Sequence, residues 1–239
     1  YYDWWINCTN AYGRENQSET RNLSIQVSSL ECSSCEECSD MIQNQAQPGD
    51  TVKLIADILN YAGSDDSTDA GESCIKFGGK DDITFDCNGK TISGDGDNYG
   101  YGIWLNDSLG GSNNNTIKNC ANISYFGYGI RLHYSDRNNL TFITSNFNSL
   151  YGIYLLFSND NNIHNVTSNS NNNNYGISLF SSDSNTFQNI TSNSNRYGIY
   201  LSSSDFNTLQ NITASSNSDS GIYLSSSSHN NLSSITASS

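Results

Sequence analysis

The phrase Tyr-Gly-Ile-x-Leu returns through the second half of the chain. It stands at Tyr101–Leu105, Tyr128–Leu132, Tyr151–Leu155, Tyr175–Leu179 and Tyr197–Leu201, with a serine-led copy at Ser220–Leu224. Its glycines recur every 22 to 27 residues. A period of that length marks a solenoid, in which each unit is too small to bury its own apolar face and stacking makes the core continuous. Counting from the glycine as zero, positions +1 and +3 are Ile and Leu in every copy. That alternation puts both on one face of a strand. Positions +11 (Leu140, Ile163, Phe187, Leu209, Leu232) and +14 (Ile143, Val166, Ile190, Ile212, Ile235) complete four apolar side chains per turn. Helical repeats would show a 3.6 period, leucine-rich repeats need more leucines, and a disordered tract does not hold apolar residues in phase. The expected fold is all-β, a right-handed parallel β-helix.

Position +9 is asparagine throughout: Asn138, Asn161, Asn185, Asn207 and Asn230. About four extra residues at Leu109–Asn113 shift the first copy, so its counterpart is Asn115. Asparagine tolerates the left-handed backbone of a tight turn. Stacked on its like ~4.8 Å away, its amide can donate in one direction and accept in the other, forming a ladder.

Ahead of the repeats, Gln47–Ile58 reads as a turn followed by a strand. Cys74–Phe77 and Asp82–Ile92 are further strands. The chain therefore divides into an N-terminal extension, 1–46, and a β-helix, 47–239. The latter has irregular rungs over 47–100 and regular repeats of about 23 residues over 101–239. Within the extension, Leu23–Val27 alternates like a strand, and Cys35–Asn44 reads as a short helix that caps the apolar end of the coil.

A net charge of −14 with only ten Lys plus Arg excludes a general nucleic-acid binder. No apolar run approaches the ~20 residues of a membrane span. The first residue is Tyr1 rather than Met, which suits a removed secretion signal. Seven cysteines stand at 8, 32, 35, 38, 74, 87 and 120. Cys32-x-x-Cys35-x-x-Cys38 could be read as metal ligands, but no second knuckle follows. Disulfides among Cys32, Cys35, Cys38, Cys74, Cys87 and Cys120 are expected, with Cys87 one rung below Cys120 and Cys8 left over. Sequons begin at Asn7, Asn16, Asn22, Asn106, Asn114, Asn122, Asn139, Asn165, Asn189, Asn211 and Asn231. Glycosylation at several of them is expected of a secreted chain, although those at position +13 (Asn165, Asn189, Asn211) can equally build a turn ladder.

The Gly49-Asp50-Thr51-Val52 segment, Phe85-Asp86-Cys87-Asn88-Gly89-Lys90-Thr91-Ile92 and the Tyr-Gly-Ile-Tyr-Leu repeats resemble secreted right-handed β-helix proteins of the NosD-like class, found among archaeal surface proteins. The resemblance covers about residues 47–239. It implies an extracytoplasmic location, and its architecture is similar to that of pectate lyases, carbohydrate epimerases and a periplasmic copper-maturation protein. The histidines, His133, His164 and His229, share no repeat phase, and there is one Met. Copper chemistry is not expected on that account.

No catalytic set emerges. Asp136, Asp160, Asp183 and Asp205 fall at positions +7 and +8, at most one carboxylate per rung. Neighbouring rungs could in principle space a glycosidase pair, but the plainer reading is that these residues open the turn before the Asn column. Asp95–Asn98 and the run Asp65, Asp66, Asp69, Glu72 read as solvated loops, with structural calcium the alternative; no other cofactor is expected. Position +2 is more distinctive, with Trp104, Arg131, Tyr154, Ser178, Tyr200 and Tyr223. Its aromatic members, Trp104, Tyr154, Tyr200 and Tyr223, suit stacking on sugar rings or on another chain, or simply brace the sheet.

Four large aromatics crowd the first six residues, and no helix or charged strand follows the last rung at Ser239. An open coil end templates another chain. The sequence thus favours an extracellular or cell-surface structural glycoprotein. Its protomers would associate head-to-tail through Tyr1, Tyr2, Trp4, Trp5 and Ile6 into a fibre or surface layer. The alternative is a carbohydrate-binding or carbohydrate-active β-helix.

Overall fold

The computed structural model describes residues 30–62, 73–96, 100–106, 111–172 and 174–238. It is a parallel β-helix of about eight turns. One nine-stranded sheet starts at Leu30–Cys32 and runs through Thr51–Leu54, Thr84–Asp86 and Thr116–Cys120 to Asn231–Ala237. A seven-stranded sheet runs from Ser73–Lys76 through Tyr101–Leu105 to Ser220–Ser225. Every pairing between rungs is parallel.

A third, three-stranded sheet (Ile58–Tyr61, Thr91–Gly94, Asn122–Ser124) exists only in the early rungs. There, equivalent residues such as Ile83 and Asn115 lie 32 apart. In the later rungs the separation falls to 22–24. Beyond Asn122–Ser124 the chain crosses from the nine-stranded to the seven-stranded sheet through a single turn. The rungs up to Ser124 are thus three-sided and the later ones two-sided.

The core is the expected column set. Ile103, Ile130, Ile153, Ile177 and Ile199 at +1, their Leu partners at +3, and the +11 and +14 side chains through Ile212 are almost fully buried. At the N-terminal end, Cys35–Asp40 forms an α-helix followed by a π-helical turn at Met41–Gln45. Ser34 caps it by accepting from Glu37 N–H, and Glu37 reaches back to Ser33 N–H at 2.7 Å, a reciprocal start signal. Cys35, Cys38 and Ile42 seal the core. Ser39 and Gln43 bond the otherwise unpaired backbone of Cys74 and Lys76, closing that edge of the seven-stranded sheet. Disulfides Cys32–Cys38 and Cys35–Cys74 lock the cap to the first rungs, and Cys87–Cys120 joins two successive rungs.

The turns are the part of the fold where the polar residues work. Asn115, Asn138, Asn161, Asn185, Asn207 and Asn230 form a column, buried through Asn207, in which each Oδ1 from Asn138 onward accepts the backbone N–H of the preceding member at 2.7–2.8 Å. The rung-to-rung bond is therefore mainly side chain to backbone rather than amide to amide. Ser112, Ser135, Ser158, Ser182, Ser204 and Ser227 make a parallel column at +6 by the same device. A second turn repeats the pattern ten residues on. Asn148, Asn171, Asn195 and Asn217 stack at +19, each accepting from the rung before. Beside them, Ser145, Ser168 and Ser192 donate to the carbonyls of the repeat glycines Gly152, Gly176 and Gly198. That close approach is why the repeat begins with glycine, since a Cβ on Gly152 would lie 1.9 Å from Ser168 Oγ and 2.7 Å from Gly176 O.

Candidate functional site: an aromatic face on the seven-stranded sheet

The strands of the seven-stranded sheet send Ile and Leu inward, so position +2 must face out. Trp104, Arg131, Tyr154, Ser178, Tyr200 and Tyr223 are in register along the outer surface. The tyrosines at position −1 also lie on the outer side of the sheet, Tyr101 buried there and the others partly exposed. The backbone at the intervening glycine interrupts the alternation. Tyr101, Tyr128, Tyr151, Tyr175 and Tyr197 stack in sequence with centroids 5.0–5.4 Å apart. They also touch the +2 column, with Tyr151 4.6 Å from Tyr154 and Tyr101 5.0 Å from Trp104. Two columns have merged into one aromatic face.

Arg131 is set into this face. Its guanidinium lies 5.1 Å from the Tyr101 ring, 5.6 Å from Tyr128 and 6.0 Å from Tyr154, and it donates to the Tyr101 hydroxyl. Cation–π contact, rather than a carboxylate, holds the charge. Its Nε and Trp104 Nε1, on the adjacent rung, are buried N–H donors without a hydrogen-bond partner. Burial pushes the Tyr151 and Tyr154 hydroxyls up from their ordinary value, and neighbouring tyrosines add to the shift. Burial, with Arg131 nearby, pushes the His133 imidazole down.

Aromatics also occupy corners that sequence reasoning passed over. Tyr134 and Phe157 at position +5 stack at 5.0 Å, and Tyr125 and Phe147 at the other corner stack at 6.2 Å. All four have left-handed backbones with φ between 50° and 62°. Ser181, Ser203 and Ser226 hold the first corner in later rungs, and Ser170, Ser194 and Ser216 hold the second, with the same backbone. A column-by-column reading of the repeats would have exposed this contrast. A groove of about 270 Å³ lies at the second corner, lined by Gly96, Tyr125, Phe126, Phe147, Ser149, Ser170 and Asn172.

The other marked residues do not gather. Asp136 and Asp183 accept backbone N–H bonds from the next rung at 2.7 Å, as does Asp205 at 2.5 Å, which makes them turn residues. Asp160 takes the left-handed position between Asn159 and Asn161. Asn165, Asn189 and Asn211 line the opposite, nine-stranded face in a side-chain amide ladder of 3.0–3.1 Å, with Asn189 and Asn211 exposed. On the same face, Asn139 is half-buried at the start of its strand and Asn231 is exposed. Asn122 begins the last strand of the third sheet, Asn106 follows Leu105, and Asn114 is left-handed at φ 54°. Asn7, Asn16, Asn22, Cys8, the Leu23–Val27 strand and the contact residues Tyr1, Tyr2, Trp4, Trp5 and Ile6 lie outside the described residues. So do Asp65, Asp66, Asp69, Glu72, Asp97, Asn98 and Ser239.

The family described as periplasmic copper-binding protein (NosD) matches residues 48–189 and again 84–238. Among solved structures, two mutant forms of the periplasmic alginate epimerase AlgG are similar in fold. Their TM-scores are 0.43 and 0.45 at 13% identity, covering 79% of this chain and 71% of theirs. No curated protein matches the chain.

The described residues do not fit a copper site. Copper favours converging imidazole, thiolate or thioether donors. Here His133 packs on Tyr134 at one corner, His164 bonds Thr141 and Asn165 on the nine-stranded face, and His229 stacks on Phe206 at another corner. Six of the cysteines are in disulfides, and no cluster of three or more His, Cys, Asp or Glu exists among the described residues. No described helix is long and apolar enough to cross a membrane. Disulfides persist in oxidising compartments, and with the periplasmic family they indicate an extracellular or periplasmic location. The match spans almost the whole β-helix, so the chain belongs to the NosD family of parallel β-helix repeat proteins.

Proposed function

We propose that the protein is an extracytoplasmic glycan-binding β-helix, with the aromatic surface around Arg131, on the outer face of the seven-stranded sheet, as its binding surface. The observation that carries this reading is the merged aromatic face formed there by Trp104, Tyr128, Tyr151 and Tyr154 over the buried Tyr101 ring. Aromatic side chains with a polar handle are suited to ligands that are apolar on one side and hydroxylated on the other. A protein of net charge −14 repels polyanions, so a neutral glycan is the favoured ligand.

The core and turns are complete without these rings. Ser178 occupies position +2 in the middle of the column without interrupting the sheet register, so the fold does not demand an aromatic there. Three of the four repeat carboxylates, Asp136, Asp183 and Asp205, accept backbone N–H bonds in turns, which supports binding rather than hydrolysis.

Affinity electrophoresis through gels containing neutral polysaccharides (hydroxyethylcellulose, galactomannan, starch, laminarin) tests the reading. Retardation in at least one is expected, and it should be lost when Trp104 and Tyr154 are both changed to Ser. Wild-type protein that runs unretarded in all of them, or a double variant retarded like wild type, would overturn it.

A further inference from the structure

Two neighbouring strands of the aromatic face differ from all the others. Tyr128–His133 and Tyr151–Leu156 are preceded at one corner by Tyr125 and Phe147, and followed at the other by Tyr134 and Phe157. Along the first strand the marked residues fall every third position: Tyr125, Tyr128, Arg131, Tyr134. Along the second they are Phe147, Tyr151, Tyr154 and Phe157. Each lies beside its counterpart on the other rung. Tyr125 and Phe147 are 6.2 Å apart at 15°, Tyr128 and Tyr151 5.0 Å apart at 12°, and Tyr134 and Phe157 5.0 Å apart at 14°, with Arg131 over Tyr154 between them. The result is four side-chain pairs in two rows, one row per strand, that run with the strands and so at right angles to the solenoid axis.

The repeats themselves supply the control. Where later rungs turn the same two corners they use Ser170, Ser194 and Ser216, or Ser181, Ser203 and Ser226, all left-handed. Serine therefore suffices for the turn. Bulky aromatics in that backbone region are uncommon and costly, and such strain concentrates at functional positions. Tyr125, Phe147 and Tyr134 are nonetheless about half exposed, and Phe157 more than a third. Their rings return little burial for the strain.

We infer that the glycan lies across the axis, along this two-strand strip, and not lengthwise up the column from Trp104 to Tyr223. The inference rests on the glycan-binding reading above and specifies its path. The groove at Tyr125 and Phe147 is one terminal subsite. Among the described residues its lining combines the aromatics Tyr125, Phe126 and Phe147 with Ser149, Ser170 and Asn172 and includes no carboxylate, ammonium, guanidinium or imidazole. That complement of uncharged donors, acceptors and ring faces matches a neutral pyranose. Stacking within each pair covers one ring face. On its far side, Phe147 is followed up the corner by Ser170 rather than by another ring, which leaves that face for a sugar. From Tyr128 to Tyr134 the strip spans roughly 20 Å, the reach of a short oligosaccharide. A ligand held this way contacts two rungs, so affinity stops rising once an oligosaccharide fills the strip.

Three double variants, each using the residue the other rungs carry, test the path: Tyr125→Ser with Phe147→Ser, Tyr134→Ser with Phe157→Ser, and Tyr200→Ser with Tyr223→Ser. Each is checked for an unchanged cooperative melt and then run in affinity gels of the polysaccharide that retards the wild type. The two corner variants should each lose about tenfold or more in affinity, equivalent to one to two lost ring contacts, and the Tyr200/Tyr223 variant should stay within about twofold. Corner variants that bind like wild type, or loss confined to the Tyr200/Tyr223 variant, would overturn the transverse path while leaving glycan binding intact. Wild-type protein unretarded in every polysaccharide would instead overturn glycan binding, and the path with it.

Discussion

Tyr125 and Phe147 lie parallel at 6.2 Å, one rung apart, each on a left-handed backbone and each 51% exposed. Neither ring is needed to turn the corner, because Ser170 turns it in the next rung with φ 55°. The pair is thus separable from the fold, and its cost can be measured directly.

Replacing Phe147 with Asn, which tolerates the left-handed region, should leave stability unchanged or raise it by about 1 kcal/mol. Urea unfolding reads this out. A loss of more than about 1 kcal/mol would show that the exposed ring contributes packing that outweighs its backbone strain.

Buried turn amides should behave in the opposite way. Asn161 Oδ1 accepts Asn138 N–H at 2.8 Å, and its Nδ2 donates to Asn159 O and to Asn185 Oδ1. Asn161→Ala leaves a buried N–H unmet and should cost about 1–3 kcal/mol. Asn171→Ala, in the second turn column, should cost a similar amount. Asn161→Asp retains the acceptor but loses the donors and sets a buried carboxylate against Asn159 O and Asn185 Oδ1, so it should cost at least as much as the alanine change. Equal unfolding midpoints for wild type and both alanine variants would remove the columns from the stability of the coil.

Gly152→Ala should be among the most damaging single changes in the regular rungs. The new methyl would meet Ser168 Oγ and also the Gly176 carbonyl, and only the serine can rotate away. Soluble yield and cooperative melting should both fall. Adding Ser168→Ala should recover part of the loss, because the backbone clash at 2.7 Å persists.

The tyrosine face has an alkaline signature. Tyr151 and Tyr154 have hydroxyls raised above 10.0 by burial first and by neighbouring groups second. A raised folded value means that the unfolded chain ionises first. The stability they contribute is therefore complete below about pH 10 and declines as pH climbs toward the folded values. A tyrosinate absorbance titration should show these residues ionising late, together with loss of the fold. Full ionisation of every tyrosine near pH 10 with an unchanged melting temperature would contradict this.

Reduction should loosen the N-terminal cap. Cys32–Cys38 and Cys35–Cys74 tie the helix to the first strands, and each native bridge contributes typically 2–4 kcal/mol. The melting temperature should drop in reducing buffer. No change would place the bridges outside the cooperative unit.

The inward residues were legible because burial in a stacked coil imposes a strict phase: Ile130, Leu132, Leu140 and Ile143 recur at fixed offsets in the later copies. The +9 asparagines were legible for the same reason. The second asparagine column, Asn148 to Asn217, is just as regular, but it hides in a segment so rich in Asn and Ser that its phase does not stand out. The third sheet of the early rungs was not legible, because its strands are three or four residues long and follow no repeat.

The outer surface shows where tertiary structure was indispensable. Alternation alone assigns Tyr151 to the side of Ile153, that is, inward. Only the folded backbone, bending at Gly152 where Ser168 presses against it, turns the ring outward onto Tyr154. Likewise, nothing in one dimension brings Tyr125 to Phe147 or Tyr134 to Phe157, since those contacts exist only because two rungs stack in register. The sequence by itself determined a parallel coil, its core and the larger part of its turns, because periodic burial is written residue by residue. The tertiary structure decided which surface residues stand side by side. Neighbourhood on a solenoid's exterior is set by rung register and local backbone bends, and the apolar repeat leaves both unspecified.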